Sequence, residues 1–525
     1  MDGRNLSEQI AAGEMVDILC GEPLSAALDV LGIGAEVVFS RRAAGAFHVI
    51  LSGARAVEQA GRLRDLWGIA VGCYCPGLEF VHALAEGETQ RAAVRKGTRE
   101  LAWRRGHPAA IFPEAPPIAR RDPCTGRAAI AEQAGESGER EWLDAASLRK
   151  RQVMAIPGDA PGLADKLLDD SLLPGHVWPL RLLAGERGAP GRPGFPWLPG
   201  NNYLAAIRVG VHEQAGWLDS LEAAVEHRPG EFARLFRTFS EGVENALRRA
   251  ARRAGAEVLA PAAAAGEDGA AVLPARPFLL GDGEFTAIVR ADLGLSFAAA
   301  LLAEFERSSA RALAPLKAEL SYPGPSLTGC AGIAFMKAGR PLLSAARLAE
   351  SLCDRARAES GRARADSDGP RPSCLAFALV GGEAAGSGAE NIAFAGDASF
   401  GPGFPAYGIG PGPLPEWKAL EELVALFSEE DLAIGPVRQL VSLLRLVPGD
   451  AAKQYRRWRD VVGKALPHRL DKLDTLLASF GISARDLPVL RRGGAAVSPV
   501  ADALILRAVG HALPGARPAT ERVHG

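Results

Sequence analysis

Gly281-Asp282-Gly283-Glu284-Phe285-Thr286 is the stretch on which the reading of this chain turns. It lies between two apolar runs, Pro277-Phe278-Leu279-Leu280 and Ala287-Ile288-Val289. Glycine tolerates positive φ and aspartate suits turns, so two short strands joined at this tip predict a tight β-hairpin. Carboxylates at such a tip are one way to hold Mg²⁺ against triphosphate oxygens. An ordinary acidic turn has the same composition, so the flanking elements have to decide between the two.

Working outward, a strand is expected over 202–209 and a long helix over 229–254. Phe232, Leu235, Phe236, Phe239, Val243, Ala246, Leu247 and Ala250 share one face of that helix. After the hairpin come a helix over 294–311 and a strand over Leu327–Met336. A helix then opens at Pro341 and buries Leu342, Ala345, Ala346, Ala349, Leu352, Cys353 and Ala356. A last strand spans Ser373–Val380. This order predicts a palm-type domain over 201–380, an antiparallel sheet with helices on one face.

The flanks are less ordered. Residues 1–115 predict a first ferredoxin-like α+β domain. Its strands are expected at Glu36–Phe39, Ala46–Leu51, 69–75 and 78–84, and its helices at Ala54–Leu66 and 88–104. Residues 116–200, with Gly-Ala-Pro-Gly-Arg-Pro-Gly at 188–194, read as a connecting region with helix near 141–153 and 161–170. Residues 381–525 read as mostly helical, with helices at Trp417–Phe427, Gly435–Leu446, Ala451–Leu466 and Leu470–Ser479. The fold class is therefore α+β: two ferredoxin-like palm domains and a helical C-terminal domain.

Composition narrows the function classes. A hydrophobic content of 48%, a charged content of 23% and a formal net charge of −2 describe a globular chain with no global attraction to nucleic acid or membrane. No run is long enough to cross a bilayer, and the N-terminus lacks a signal-peptide pattern, which implies a cytoplasmic protein. Seven cysteines without a CxxC pair argue against a disulfide scaffold; Cys73, Cys75 and Cys124 read as structural thiols. There is no phosphate-binding Walker loop, dinucleotide glycine fingerprint, nucleophile elbow or HExxH.

The wording after the hairpin is more specific. Thr328-Gly329-Cys330-Ala331-Gly332-Ile333-Ala334-Phe335-Met336-Lys337 continues through Arg340-Pro341 to Leu348-Ala349-Glu350-Ser351-Leu352-Cys353. With the hairpin, this block resembles the large palm-domain, polymerase/cyclase-like subunit of type III CRISPR effector complexes. Cys124-Thr125-Gly126 and Ala501-Asp502-Ala503-Leu504 are weaker echoes. The resemblance implies nucleotide contact at Gly281, Asp282, Gly283, Glu284 and Lys337. It also implies other subunits of a ribonucleoprotein complex as partners, with guide or target RNA reached through the complex and no membrane.

The departures from that pattern bear on chemistry. The family's His-Asp nuclease pair occurs nowhere in this sequence. Its first palm strand ends in a metal-binding Asp, a position that falls near Gly210 here. Its hairpin places a second metal-binding Asp where this chain has Gly283, with Glu284 following. Two-metal phosphoryl transfer needs carboxylates converging from two strands on ions about 4 Å apart. Side chains alternate faces along a strand, so sliding the acid from 283 to 282 aims it away. His212 and Glu213 are the nearby reserves.

The expectation is a site in which Asp282 and Glu284 are vestigial, with no cofactor and no metal. The alternative is an active cyclase making cyclic (oligo)nucleotides from ATP with Mg²⁺ or Mn²⁺; a nucleotide sensor outside CRISPR defence is a third reading. Arg456, Arg457, Trp458 and Arg459 interleave cations with an aromatic and are expected to contact RNA or a partner subunit.

Overall fold

The computed structural model describes residues 6–511 apart from 44, 108–117, 135–138, 156–162, 180–193, 267–268, 282, 341, 366–369, 381–402, 429–447, 484–485 and 493–494. The expectations at Asp282, Pro341, 188–193 and Gly435–Leu446 fall outside the described residues.

A six-stranded sheet organises the chain, with order β13-β12-β11-β6-β10-β9. Its strands are β6 (Tyr203–His212), β9 (Ala275–Gly281), β10 (Glu284–Arg290), β11 (Thr328–Lys337), β12 (Cys374–Leu379) and β13 (Tyr407–Gly408). The four strands β11, β6, β10 and β9 pair antiparallel. With α8 (Phe232–Ala254) following β6 and α9 (Ala291–Ala312) following β10, they form a ferredoxin-like unit. Both helices pack on the face of Ala205, Ile207 and Val209; there α9 comes so close that a Cβ on Gly294 would stand 2.6 Å from Ala205 Cβ.

The opposite face is covered as well, where the sequence reading placed helices on one face alone. β12 runs parallel to β11, so the chain must cross over, and α11 (Leu342–Ala365) makes that crossing above Ala206, Cys330 and Ala334. Gly332 permits the close approach: a Cβ there would lie 1.9 Å from the Ala349 carbonyl oxygen. Toward β9 the same face is covered by α1 (Leu6–Leu19), whose Gly13 abuts the Phe278 carbonyl. Glu14 of α1 and Arg276 of β9 form an ion pair at 2.8 Å, both side chains being almost fully buried.

Within 1–115 one expectation is corrected. β1 (Val38–Ala43) and β2 (Ala46–Ile50) pair as a hairpin, but no strand forms at 69–75 or 78–84. Helix α3 (Ala56–Tyr74) runs through the first of these, and 78–84 lacks regular structure. Trp67, Val71 and Cys75 recur every fourth residue and bury beside Leu24 and Leu28 of α2 (Glu22–Val30). That helical spacing outweighs the local strand-like composition. Helix α4 (Gln90–Gly106) then follows.

The connecting region holds a hairpin, β3 (Ala131–Ala134) with β4 (Arg140–Leu143), and helices α5 (Ala145–Ala155) and α6 (Leu163–Leu167). A small sheet joins β5 (His176–Val177), β8 (Ala271–Val272) and β7 (Ala264–Ala265). Between β6 and α8 lies α7 (Gln214–His227), and α10 (Ala314–Glu319) follows α9.

The C-terminal region is helical, as expected: α12 (Trp417–Ser428), α13 (Pro448–Ala465), α14 (Pro467–Ser479) and, after the short β14–β15 hairpin (Leu490–Arg492, Ala495–Val497), α15 (Pro499–Ala508). It shares one apolar core with the α8/α9 face of the sheet, through Phe377, Tyr407, Leu420 and Phe480. Among the described residues no helix is long and apolar enough to cross a membrane.

Asp502 of α15 anchors this joint. Its carboxylate accepts from the Phe404 backbone N–H at 2.7 Å and from the Tyr407 hydroxyl. Burial pushes its pKa up to about 7, against the lowering effect of those two donors and Arg355. A folded pKa above the unfolded value near 3.8 means that the folded state binds the extra proton. Stability from this group is therefore full below about pH 4 and declines as pH rises to about 7, by at most about 1.4 kcal/mol per pH unit. Melting curves between pH 5 and 7 are expected to show that decline, and Asp502→Asn is expected to flatten it. An identical slope in the variant would remove Asp502 as its cause.

Candidate functional site

The hairpin forms as its glycines and acids predict. Gly281 pairs with Glu284 across the turn. Gly283 adopts φ 75°, a conformation that disfavours any side chain. Glu284 pairs across to Gly210 of β6, and Gly210 pairs on its other side with Cys330 of β11. Gly210 thus lies directly beside the hairpin carboxylate.

What fills that place is a cation. A Cβ on Gly210 would stand 2.6 Å from Nη2 of Arg357, a residue of α11. Arg357 Nη1 donates to Asp354 Oδ1 at 2.7 Å. Burial opposes its charge, and Cys330, Cys353, Asp354 and Glu284 act to hold the proton on. Glu284 is itself engaged: its carboxylate forms an ion pair with Arg208 of β6, whose Nη1 also donates to Thr286 Oγ1 at 3.1 Å. Arg208, Gly210, Glu284 and Thr286 share one face by register. The site is a web of guanidiniums and carboxylates that neutralise one another.

Of the two reserve ligands, Glu213 is tied up by ion pairs and His212 is not. His212 is buried, its Nε2 has no hydrogen-bond partner, and burial followed by the charges of Arg357 and Arg371 lowers its pKa to about 4. Glu213 sits in the left-handed region at φ 66°. Its carboxylate takes Arg364 at 2.8 and 3.0 Å and Arg371 at 3.4 Å. A cleft of about 390 Å³ opens beside it, lined by Gly216, Tyr322, Arg364 and Arg371. Among the described residues no three His, Cys, Asp or Glu side chains converge as a metal site would require. The residues present at 210, 284 and 213 do not fit a two-cation cage.

The remaining sequence-derived residues separate. Lys337 pairs with Tyr203 while Glu284 pairs with Gly210, so Lys337 lies seven positions away along β6, about 23 Å at strand rise. Its ammonium instead sits 5.6 Å from the Tyr203 ring centroid. On α13, Trp458 turns inward and stacks on buried Tyr455 with centroids 5.9 Å apart. Arg459 is held by Asp474 of α14, with Nη2 donating at 2.6 Å. Arg456 and Arg457 are the exposed members of that group.

Sequence reasoning missed Arg208, Arg357 and α7. Each had a trace. Arg208 interrupts the apolar run Ala205-Ala206-Ile207, Arg357 falls four residues after buried Cys353, and Trp217, Leu221 and Val225 mark one face of α7.

No family model matches the sequence, and no curated protein matches it. Solved structures do. They include a Csm1–Csm4 cassette in complex with cA3, at a TM-score of 0.45 and 14% identity over 98% of this chain and 68% of that one. The cassette in complex with cA4 gives 0.42 and 13% over 89% and 63%. Csm1 of T. onnurineus gives 0.38 and 12% over 97% and 67%. The chain spans about two thirds of the length of each chain it matches. The chains it resembles in these comparisons are thus Csm1, alone or in the Csm1–Csm4 cassette.

Proposed function

We propose that this chain is a non-catalytic large subunit of a type III CRISPR-like RNA-guided complex, its central palm serving as a scaffold. One observation supports the scaffold role above the rest: the Arg357 guanidinium occupies the space a first-strand carboxylate would need, while Glu284 is tied to Arg208. Two-metal catalysis requires free carboxylate oxygens at those positions, and an arginine there repels the cations it would have to admit. Nucleotide retention without turnover belongs to the same reading. Arg364 and Arg371 beside the 390 Å³ cleft are the phosphate partners it would use. By analogy with the Csm1–Csm4 cassettes, a neighbouring subunit is the expected partner.

The test is incubation of purified protein with labelled ATP and Mn²⁺. No cyclic or oligomeric product is expected, from the wild type or from Asp282→Ala/Glu284→Ala. Product from the wild type that vanishes in the double variant would establish the cyclase alternative instead.

A further inference from the structure

Helix α4 is unusual for a helix inside a folded chain: none of its 17 residues is buried. Its sequence sets Arg91, Arg95, Lys96, Arg99, Arg104 and Arg105 against the single acid Glu100. Half-buried Val94 packs against the central core, and two further sources of order are visible. Thr89 caps its start, accepting from Ala92 N at 3.2 Å. Arg91 clamps it to α7 through Glu222 and Glu226, each at 2.9 Å.

None of the other cations reaches α7 at hydrogen-bonding distance. Arg104 is satisfied by Glu100 at 2.8 Å, and Arg95 approaches Glu222 only at 3.7 Å. Among the described residues no ion pair engages Lys96, Arg99 or Arg105. Last-turn cations complement the helix dipole, which accounts for Arg104 and Arg105. It does not account for Arg95, Lys96 and Arg99 in the middle.

Those three lie in one stripe. Arg95, Arg99 and Trp103 are spaced i, i+4, i+8 on a common face, with Lys96 at its border. The stripe ends in an aromatic pair. Trp103 is 58% exposed and stacks on His107, centroids 4.7 Å apart and planes 18° from parallel. His107 Nδ1 donates to the Trp103 carbonyl at 2.8 Å, which fixes the ring. Large aromatics are seldom left exposed in isolation, and this one is held in a fixed plane one turn from Arg99, which no ion pair among the described residues engages.

From this geometry we propose that the Arg95–His107 face of α4 binds single-stranded RNA, its cations holding successive phosphates and the Trp103–His107 pair stacking an unpaired base. Successive turns of the stripe rise about 6 Å, a spacing comparable with the phosphate repeat of an extended strand. Cations along a groove or ridge with an aromatic platform at one end are the elements of single-strand recognition. An acidic peptide would match the cations and leave the stacked rings without a use. The inference is independent of how the palm site is read, since α4 contributes nothing to it.

The test uses the full chain and a fluorescently labelled mixed-sequence 30-mer RNA, with affinity measured across a salt series. Arg95→Ala/Lys96→Ala/Arg99→Ala is expected to weaken binding at least tenfold and to reduce the slope of log K against log salt by about 2, at 0.7 per lost phosphate contact. Trp103→Ala is expected to weaken binding about tenfold with the slope unchanged. Arg62→Ala/Arg347→Ala, at exposed arginines of α3 and α11, is the control and is expected to bind as the wild type. Circular dichroism guards against misfolding, and Arg95→Lys/Arg99→Lys is expected to retain the salt slope. Wild-type affinity in the triple variant, or no RNA binding by the wild type, would overturn the proposal. So would poly-glutamate binding as tightly as RNA with both insensitive to Trp103→Ala.

Discussion

Gly332→Val is expected to cost more than about 3 kcal/mol and to lower the melting temperature of the purified chain more than any other single change on β11. The cause is a backbone contact that cannot yield: a Cβ at 332 meets the Ala349 carbonyl oxygen at 1.9 Å and the Cys353 nitrogen at 2.3 Å. To admit a side chain, α11 would have to lift from the sheet, uncovering Ala334, Ala349, Leu352 and Cys353. Gly329 on the same strand is the control. Its Cβ would meet Leu302 Cδ2 at 2.8 Å, the mobile end of a side chain that can rotate, so Gly329→Ala is expected to cost about 1 kcal/mol. Thermal denaturation of both variants decides the matter. If Gly332→Val melts with Gly329→Ala, the close seating of α11 is wrong.

The second large effect is at the other end of the sheet. Glu14→Leu leaves Arg276 as a charged group, 1% exposed, without its carboxylate partner, and deprives the Leu163 N–H of an acceptor that now lies at 3.0 Å. Breaking a buried pair from one side costs about 3–5 kcal/mol, because the remaining charge has neither water nor a counterion. Burial already lowers the pKa of Arg276. Removing both charges is a different matter. Glu14→Leu/Arg276→Leu is expected to recover most of the loss, short of about 1–3 kcal/mol for the unpaired Leu163 donor. Urea denaturation of the single and double variants measures this. A double variant no better than Glu14→Leu would mean that the pair is not coupled as the geometry shows.

The central sheet was legible because its signals are local and redundant. The turn at 281–284 needs its glycines, and Phe232, Leu235, Phe239, Val243 and Leu247 repeat at helical spacing. All but the half-buried Phe236 of the residues assigned to that face are buried. Where signals were short they misled. Ile69-Ala70-Val71 has the composition of a strand, and its real neighbours are Trp67 and Cys75 one turn to either side. Similarly, an aromatic among arginines reads as a stacking platform until the partner helix is known; Asp474 turns Arg459 inward and Tyr455 receives Trp458. The second helix layer, α1 and α11, depends on pairings between distant segments such as Glu14 with Arg276, which no local window contains.

The candidate site was half legible. That position 210 is a glycine can be read from the sequence, since it is a statement about one letter. That Arg357 stands there instead cannot, because it requires the crossing of α11 over β6. The same holds for the pairing of Glu284 with Arg208, which depends on a register two residues offset along neighbouring strands.

That crossing also sets what an acid introduced beneath it would meet. An aspartate introduced at 210 would place a carboxylate within reach of the Arg357 guanidinium, and the two would neutralise each other. Building a cation cage at this place would require clearing an arginine from the overlying helix as well as adding acids beneath it, and neither step is useful without the other.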